Sequence, residues 1–172
     1  MDAGLAAVLG AAVGSLATLG AAFVNGRSQA RAQQDQWRRQ QRRDACASYL
    51  SALHDRDIAM DDILAALRAD EPALPEIDDK VGHFIRLARE VHRSVEVVIL
   101  EGPSSLAAVA ERVTRASSDL TETVRRMVDD VRNGERADKA ENLALAAQRE
   151  HVLYQAVGDF RLAARGIIKG RD

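Results

Sequence analysis

The chain has 172 residues, a formal net charge of -2, 3% aromatic residues, three prolines and one cysteine. A single cysteine excludes an intramolecular disulfide framework and a thiolate metal cluster. Abundant Ala, Leu, Arg and Glu make a helical composition, and no alternating β-branched run with hairpin turns is present.

The first element is uncharged. Residues 3–26 (AGLAAVLGAAVGSLATLGAAFVNG) contain no Asp, Glu, Lys or Arg. Twenty-four residues at the helical rise extend roughly 36 Å, enough to cross a hydrocarbon core of about 30 Å with some tilt. A helix also satisfies its own backbone groups in lipid. Leu5, Val8, Leu9, Val13, Leu16, Leu19, Phe23 and Val24 supply the apolar surface. The reading is a transmembrane helix over residues 1–26. Two alternatives are a cleaved signal peptide and an Ala-rich helix buried in a soluble core. The first wants a basic stretch ahead of the apolar run, where only Met1 and Asp2 stand.

Within that run Ala6, Gly10, Gly14, Thr18 and Ala22 recur every four residues. Such a stripe lets helix backbones approach closely in lipid, so it is the expected packing surface of a homo-oligomer. Arg27, Arg31, Arg38, Arg39, Arg42 and Arg43 follow, opposed only by Asp35. These arginines are the expected lipid-headgroup contacts. They place the C-terminal side in the cytoplasm and the N-terminus outside the cell membrane. Residues 27–43 carry +5 and Asp2 carries -1, which leaves -6 for residues 44–172. An acidic distal domain has no evident attraction to nucleic acid.

Residues 27–44 read as a basic juxtamembrane helical stalk, polar nearly all round. Trp37 is its one large apolar side chain. On a straight helix it stands about 16 Å beyond Gly26. That distance favours packing against another chain or a bundle end over anchoring at the membrane interface.

Residues 45–172 read as a cytoplasmic four-helix bundle. Cys46, Leu50, Leu53, Met60, Leu64 and Leu67 form a 4-3 seam in which Asp57 fills one place, with Tyr49 and Ile63 beside it. Residues 70–75 (DEPALP) end that helix, because its prolines cannot continue it. A second helix over about 76–100 carries Ile77, Val81, Phe84, Ala88, Val91, Val95 and Val98. Gly102 is the expected C′ residue after it, and Ser104 the expected N-cap of a third helix. That third seam runs Leu106, Ala110, Val113, Ser117, Leu120, Val124, Met127 and Val131, closed by Asn133-Gly134. A fourth helix over about 135–169 turns Leu153, Val157, Phe160, Ala164 and Ile167 inward. Short links predict up-down-up-down topology. The fold class is therefore all-α: a transmembrane helix continuing into an Arg-rich stalk and then the bundle.

No phosphate-binding glycine loop, G-x-S-x-G, H-E-x-x-H or Glu-x-x-His pair occurs. No catalytic, cofactor-binding or metal-binding residue is assigned. The best remaining ligand set is His54, Asp57 and Asp61, on one helical face, for which a solvated acidic face is the plainer reading. Asp57, if buried, needs a partner, and Arg93, Arg125 and Arg161 are candidates, although a slightly rotated helix would simply expose it. His92 and His151 read as boundary histidines, and Cys46 as core.

The segments MDAGLAAVLGAAVGSLATLGAAF and RAQQDQWRRQQRRDA, with Arg far outnumbering the three lysines, resemble small single-pass proteins of actinomycetes with a cytoplasmic helical domain. The resemblance implies topology and no activity. The functional expectation is a membrane-anchored, self-associating scaffold or adaptor that presents its bundle to a cytoplasmic protein partner. The alternative is a membrane-active effector or channel-like oligomer of clustered spans. An enzyme ranks third and would need a ligand at His54, Asp57 and Asp61.

Overall fold

The computed structural model describes residues 2–69, 71–135 and 137–168, with side chains within 29–167 except residue 30. Four helices make up the fold: α1 (Asp2–Arg68), α2 (Leu74–Glu101), α3 (Ser104–Asn133) and α4 (Lys139–Ile168). No strand occurs among the described residues. The chain divides into two compact units, residues 1–40 and 41–172.

In the first unit every described side chain, at 29 and 31–40, is exposed. That follows from a helix segment polar on all faces, which has nothing to bury. The expected span and its small-residue stripe lie outside the described side chains. Among the described residues no helix is long and apolar enough to cross a membrane.

The second unit is a bundle. Arg132 near the end of α3 meets Asp78 near the start of α2. Arg112 of α3 meets Asp159 of α4, while Asn142 of α4 donates to Asp130 of α3. Lys139, at the start of α4, donates to the carbonyls of Arg68 and Ala69 at the end of α1. α3 is therefore antiparallel to both α2 and α4, and α4 is antiparallel to α1. The expected seams supply the core. Ile77, Phe84, Val91, Val95 and Val98 of α2 are buried, as are Leu106, Ala110, Val113, Leu120, Val124 and Met127 of α3. On α4, Leu153, Val157, Phe160 and Ala164 are buried. Each large apolar side chain so buried contributes about 1.5–3 kcal/mol.

The helix ends differ from expectation in three places. Ser104 is the first residue of α3, and Pro103 is its N-cap, which has no side-chain cap. Gly102 is extended (φ -88°, ψ 161°) instead of left-handed. It must be glycine because a Cβ there would lie 2.6 Å from the Val98 carbonyl oxygen. α4 begins at Lys139, a turn later than expected. By contrast Gly134 is left-handed (φ 74°). Its N–H donates to Val131, and that of Glu135 donates to Asp130. This is the paired closure of a Schellman motif. Lys139 does the corresponding work for α1: its ammonium, 2.6 Å from the Ala69 oxygen, sits at the negative end of the helix dipole.

Gly134→Ala is expected to lower unfolding stability by about 1–2 kcal/mol, the cost of a Cβ in the left-handed region. Gly158→Ala, inside a helix with open space around its Cα, should raise it by about 0.5–1 kcal/mol. Urea unfolding of the two variants measures both.

Candidate functional site

The most unusual chemistry lies inside the bundle. On α1 the inward residues include Tyr49, Leu53, Arg56, Met60, Ile63, Leu64 and Leu67, all under 3% exposed. The polar member of that row is Arg56, at 1% exposure. The place expected for Asp57 is thus taken by its neighbour, and Asp57 is half-buried, its side chain 20% exposed. Both heptads share Leu53, Met60 and Leu67. They differ by a rotation of roughly 50°, half the angle between successive residues. Apolar periodicity alone does not resolve so small a turn: of the expected seam, Cys46 and Leu64 stay buried beside Tyr49 and Ile63, and Leu50 is half-buried.

Arg56 is held from two sides. One terminal nitrogen, Nη2, donates to Asp57 Oδ1 at 2.5 Å, and the other, Nη1, donates to Ser117 Oγ on α3. Ser117 is the polar member of α3's own seam, so two polar seam positions face each other across the core. Arg93, Arg125 and Arg161 are all exposed, and the partner of Asp57 is its chain neighbour. The Nε of Arg56 is buried without a partner, and so is the Tyr49 hydroxyl. That hydroxyl reaches toward Thr114 without meeting hydrogen-bond geometry; Thr114 donates to the Ala110 carbonyl at 3.1 Å. The Tyr49 ring packs edge-on against Phe160, with centroids 5.1 Å apart. Burial pushes the phenol up to about 12, against the smaller opposing effects of Thr114 and Arg56.

A second cluster lies between α1 and α4. Partial burial, and then the carboxylate of Asp61, raise the Glu150 carboxyl above its ordinary value, while Arg68 acts the other way. Tyr154 is raised by burial and then by Asp61, Glu150 and Asp57. Asp61 faces Glu150 here, and His54 is exposed to solvent. The trio of His54, Asp57 and Asp61 is therefore not drawn together. Among the described residues no three ligating side chains are grouped to hold a metal ion.

Polar ties also join α3 and α4. Arg149 donates to the Thr123 hydroxyl at 2.5 Å and to the Asp119 carbonyl. The buried Asn142 donates to Asp130 at 2.9 Å. Sequence reasoning missed Arg56, Arg149 and Asn142. The one available signal was Ser117, a polar residue in an apolar seam that asks for a polar counterpart.

The remaining candidates are peripheral. His92 and His151 are exposed. Cys46 is buried, which pushes its thiol up and makes it a poor nucleophile. Among the expected headgroup contacts, Arg31, Arg38, Arg39 and Arg43 are exposed and Arg42 is partly so; Arg27 lies outside the described side chains. Trp37 is 61% exposed. Compared with known proteins, the chain matches no family model, no curated protein and no solved structure.

Arg56→Met combined with Asp57→Asn is expected to leave stability unchanged or to raise it by about 1–4 kcal/mol, because the ion pair is replaced as a whole and no carboxylate is left unpaired. Ser117→Ala, which strips the Arg56 charge of a partner, should lower it by about 1–3 kcal/mol. Chemical unfolding separates the two.

Tyr49 contributes stability that is complete below the unfolded phenol value of 10 and is lost as pH rises through about 12. Tyr49→Phe should flatten the fall in stability between those values. The raised Glu150 carboxyl has the same sign. Its contribution is complete below the ordinary value of 4.5 and is lost as pH rises through the folded value. Glu150→Gln should therefore gain stability over the parent at pH 7 and none at pH 4, measured by thermal unfolding across pH.

Proposed function

We propose that the chain is a membrane-anchored, self-associating helical scaffold. In this reading residues 1–26 span the cell membrane, residues 27–44 continue from it as a basic juxtamembrane stalk, and the bundle is presented in the cytoplasm to a protein partner. One observation carries the reading: a 24-residue uncharged run followed within 17 residues by six arginines and one aspartate. An apolar run of that length suits the hydrocarbon core. A basic flank suits both the anionic inner leaflet and the orientation rule.

The exposure of Arg31, Arg38, Arg39 and Arg43 supports the reading, since these side chains are open to headgroups. The charge division supports it as well: a basic juxtamembrane segment draws the chain to the membrane, while a bundle of net negative charge is repelled by it. Self-association is assigned to the row of Ala6, Gly10, Gly14, Thr18 and Ala22, where close backbone approach in lipid supplies the van der Waals contact.

Full-length protein from lysed cells is expected in the high-speed membrane pellet and to be released only by detergent. Its appearance in the supernatant would remove the anchor from the proposal. In a lipid mimic, Gly10→Leu combined with Gly14→Leu should reduce the particle mass to that of the monomer. An unchanged mass would show that the row does not hold the oligomer together.

A further inference from the structure

The bundle uses only one side of α2. Ile77, Phe84, Val91, Val95 and Val98 are buried on its inner face. On the opposite side Ile85, Arg89, Glu96 and Leu100 stand at spacings of four, seven and four, which keeps them in line along a helix. Ile85 is 45% exposed and Leu100 is 79% exposed, the most of any large apolar side chain among the described residues. Arg89 and Glu96 are exposed too, and neither has a hydrogen bond or ion pair among the described residues. Seven residues separate them, roughly 10 Å along the helix, so they are too far apart to pair with each other.

Along this face the order is apolar, positive, negative, apolar. Reversed, that order is its own complement. Residues 85 and 100 have the same midpoint as residues 89 and 96, between His92 and Arg93. Two copies of α2 laid antiparallel about a twofold axis at that midpoint bring Ile85 of each level with Leu100 of the other. The same axis brings Arg89 of each level with Glu96 of the other, so every pair occurs twice, as in an isologous contact. Laid parallel, the helices would instead set Arg89 on Arg89 and Glu96 on Glu96, where like charges repel. A lone exposed leucine is ordinary on a protein surface. The shared midpoint of an apolar pair and a charged pair is what selects a second copy as the occupant.

We infer that two copies of this chain meet through the outer faces of α2, packed antiparallel, with Ile85 against Leu100 and Arg89 paired with Glu96 across the twofold axis. Four residues from each copy are far fewer than the roughly 20–30 a side of a stable interface. The contact therefore forms between copies already held close, where the effective concentration is high, and it rests in this respect on the self-association proposed above.

The test uses the full chain in a lipid mimic, in a Cys46→Ala background, with particle mass measured first. His92→Cys, beside the twofold axis, should form an intermolecular disulfide on mild oxidation. Glu90→Cys, about a third of a turn away from this face, should not. Arg89→Glu and Glu96→Arg should each lower the yield of the His92→Cys cross-link about tenfold, because a like-charged pair then occurs twice in every contact. The double exchange restores opposite charges and should recover the parent yield, which structural damage from either change would not allow. Oligomeric particles that cross-link no better at position 92 than at position 90 would overturn the inference and leave the association of the spans standing. So would single exchanges that leave the yield unchanged, or a double exchange that does not restore it. Monomeric particles would overturn both.

Discussion

A guanidinium buried at the centre of four packed helices sets the terms for the rest of this bundle. Taking Arg56 out of water costs several kcal/mol even after relaxation, so its position is tolerable only where hydrogen-bond acceptors wait for it. Ser117 across the core and Asp57 beside it are those acceptors. They pin the rotation of α1 about its axis and its height against α3. A wholly apolar seam would hold the helices together at least as well but would tolerate sliding, since hydrophobic contact has no direction. The unpartnered Nε and the unpartnered Tyr49 hydroxyl mark the cost of that specificity.

Around this layer the helices are joined by devices of shorter range. The left-handed Gly134 and the paired N–H closure beside it turn the chain sharply between α3 and α4. Lys139 then satisfies carbonyls at the end of α1, so the start of the last helix is fixed by the end of the first. Arg149, Thr123, Asn142 and Asp130 tie α3 to α4 along their length. Among the described residues the contact between α2 and α3 has fewer such ties, with Arg132–Asp78 near one end.

The two units divide the physical work proposed for the chain. Positive charge is concentrated in the basic segment, and in the proposed reading it acts on the membrane surface within a Debye length of about 8–10 Å. Shape is concentrated in the bundle, whose core depends on side-chain fit. The acidic face of Asp57, Asp61 and Glu150 belongs to the bundle. There like charges across α1 and α4 oppose the packing that brings them together, and the apolar core offsets the repulsion.

Periodicity in the amino-acid order was enough to determine four helices, the break at 102–103 and the buried rows of α2 and α3; the other two breaks were placed only roughly, since α2 begins at Leu74, inside the expected break at 70–75, and α4 begins only at Lys139. Each of these follows from spacing or from the backbone limits of Pro and Gly, which act within a few residues. Spacing also left α1 uncertain by half a residue step, since one apolar stripe held both Leu50 and Tyr49, and both Leu64 and Ile63. Only the assembled structure chose between Arg56 and Asp57. The choice depends on Ser117, sixty-one positions away, and on the edge of Phe160 against Tyr49, contacts that no local pattern encodes. The same holds for Arg149 and Asn142, whose acceptors lie on a different helix.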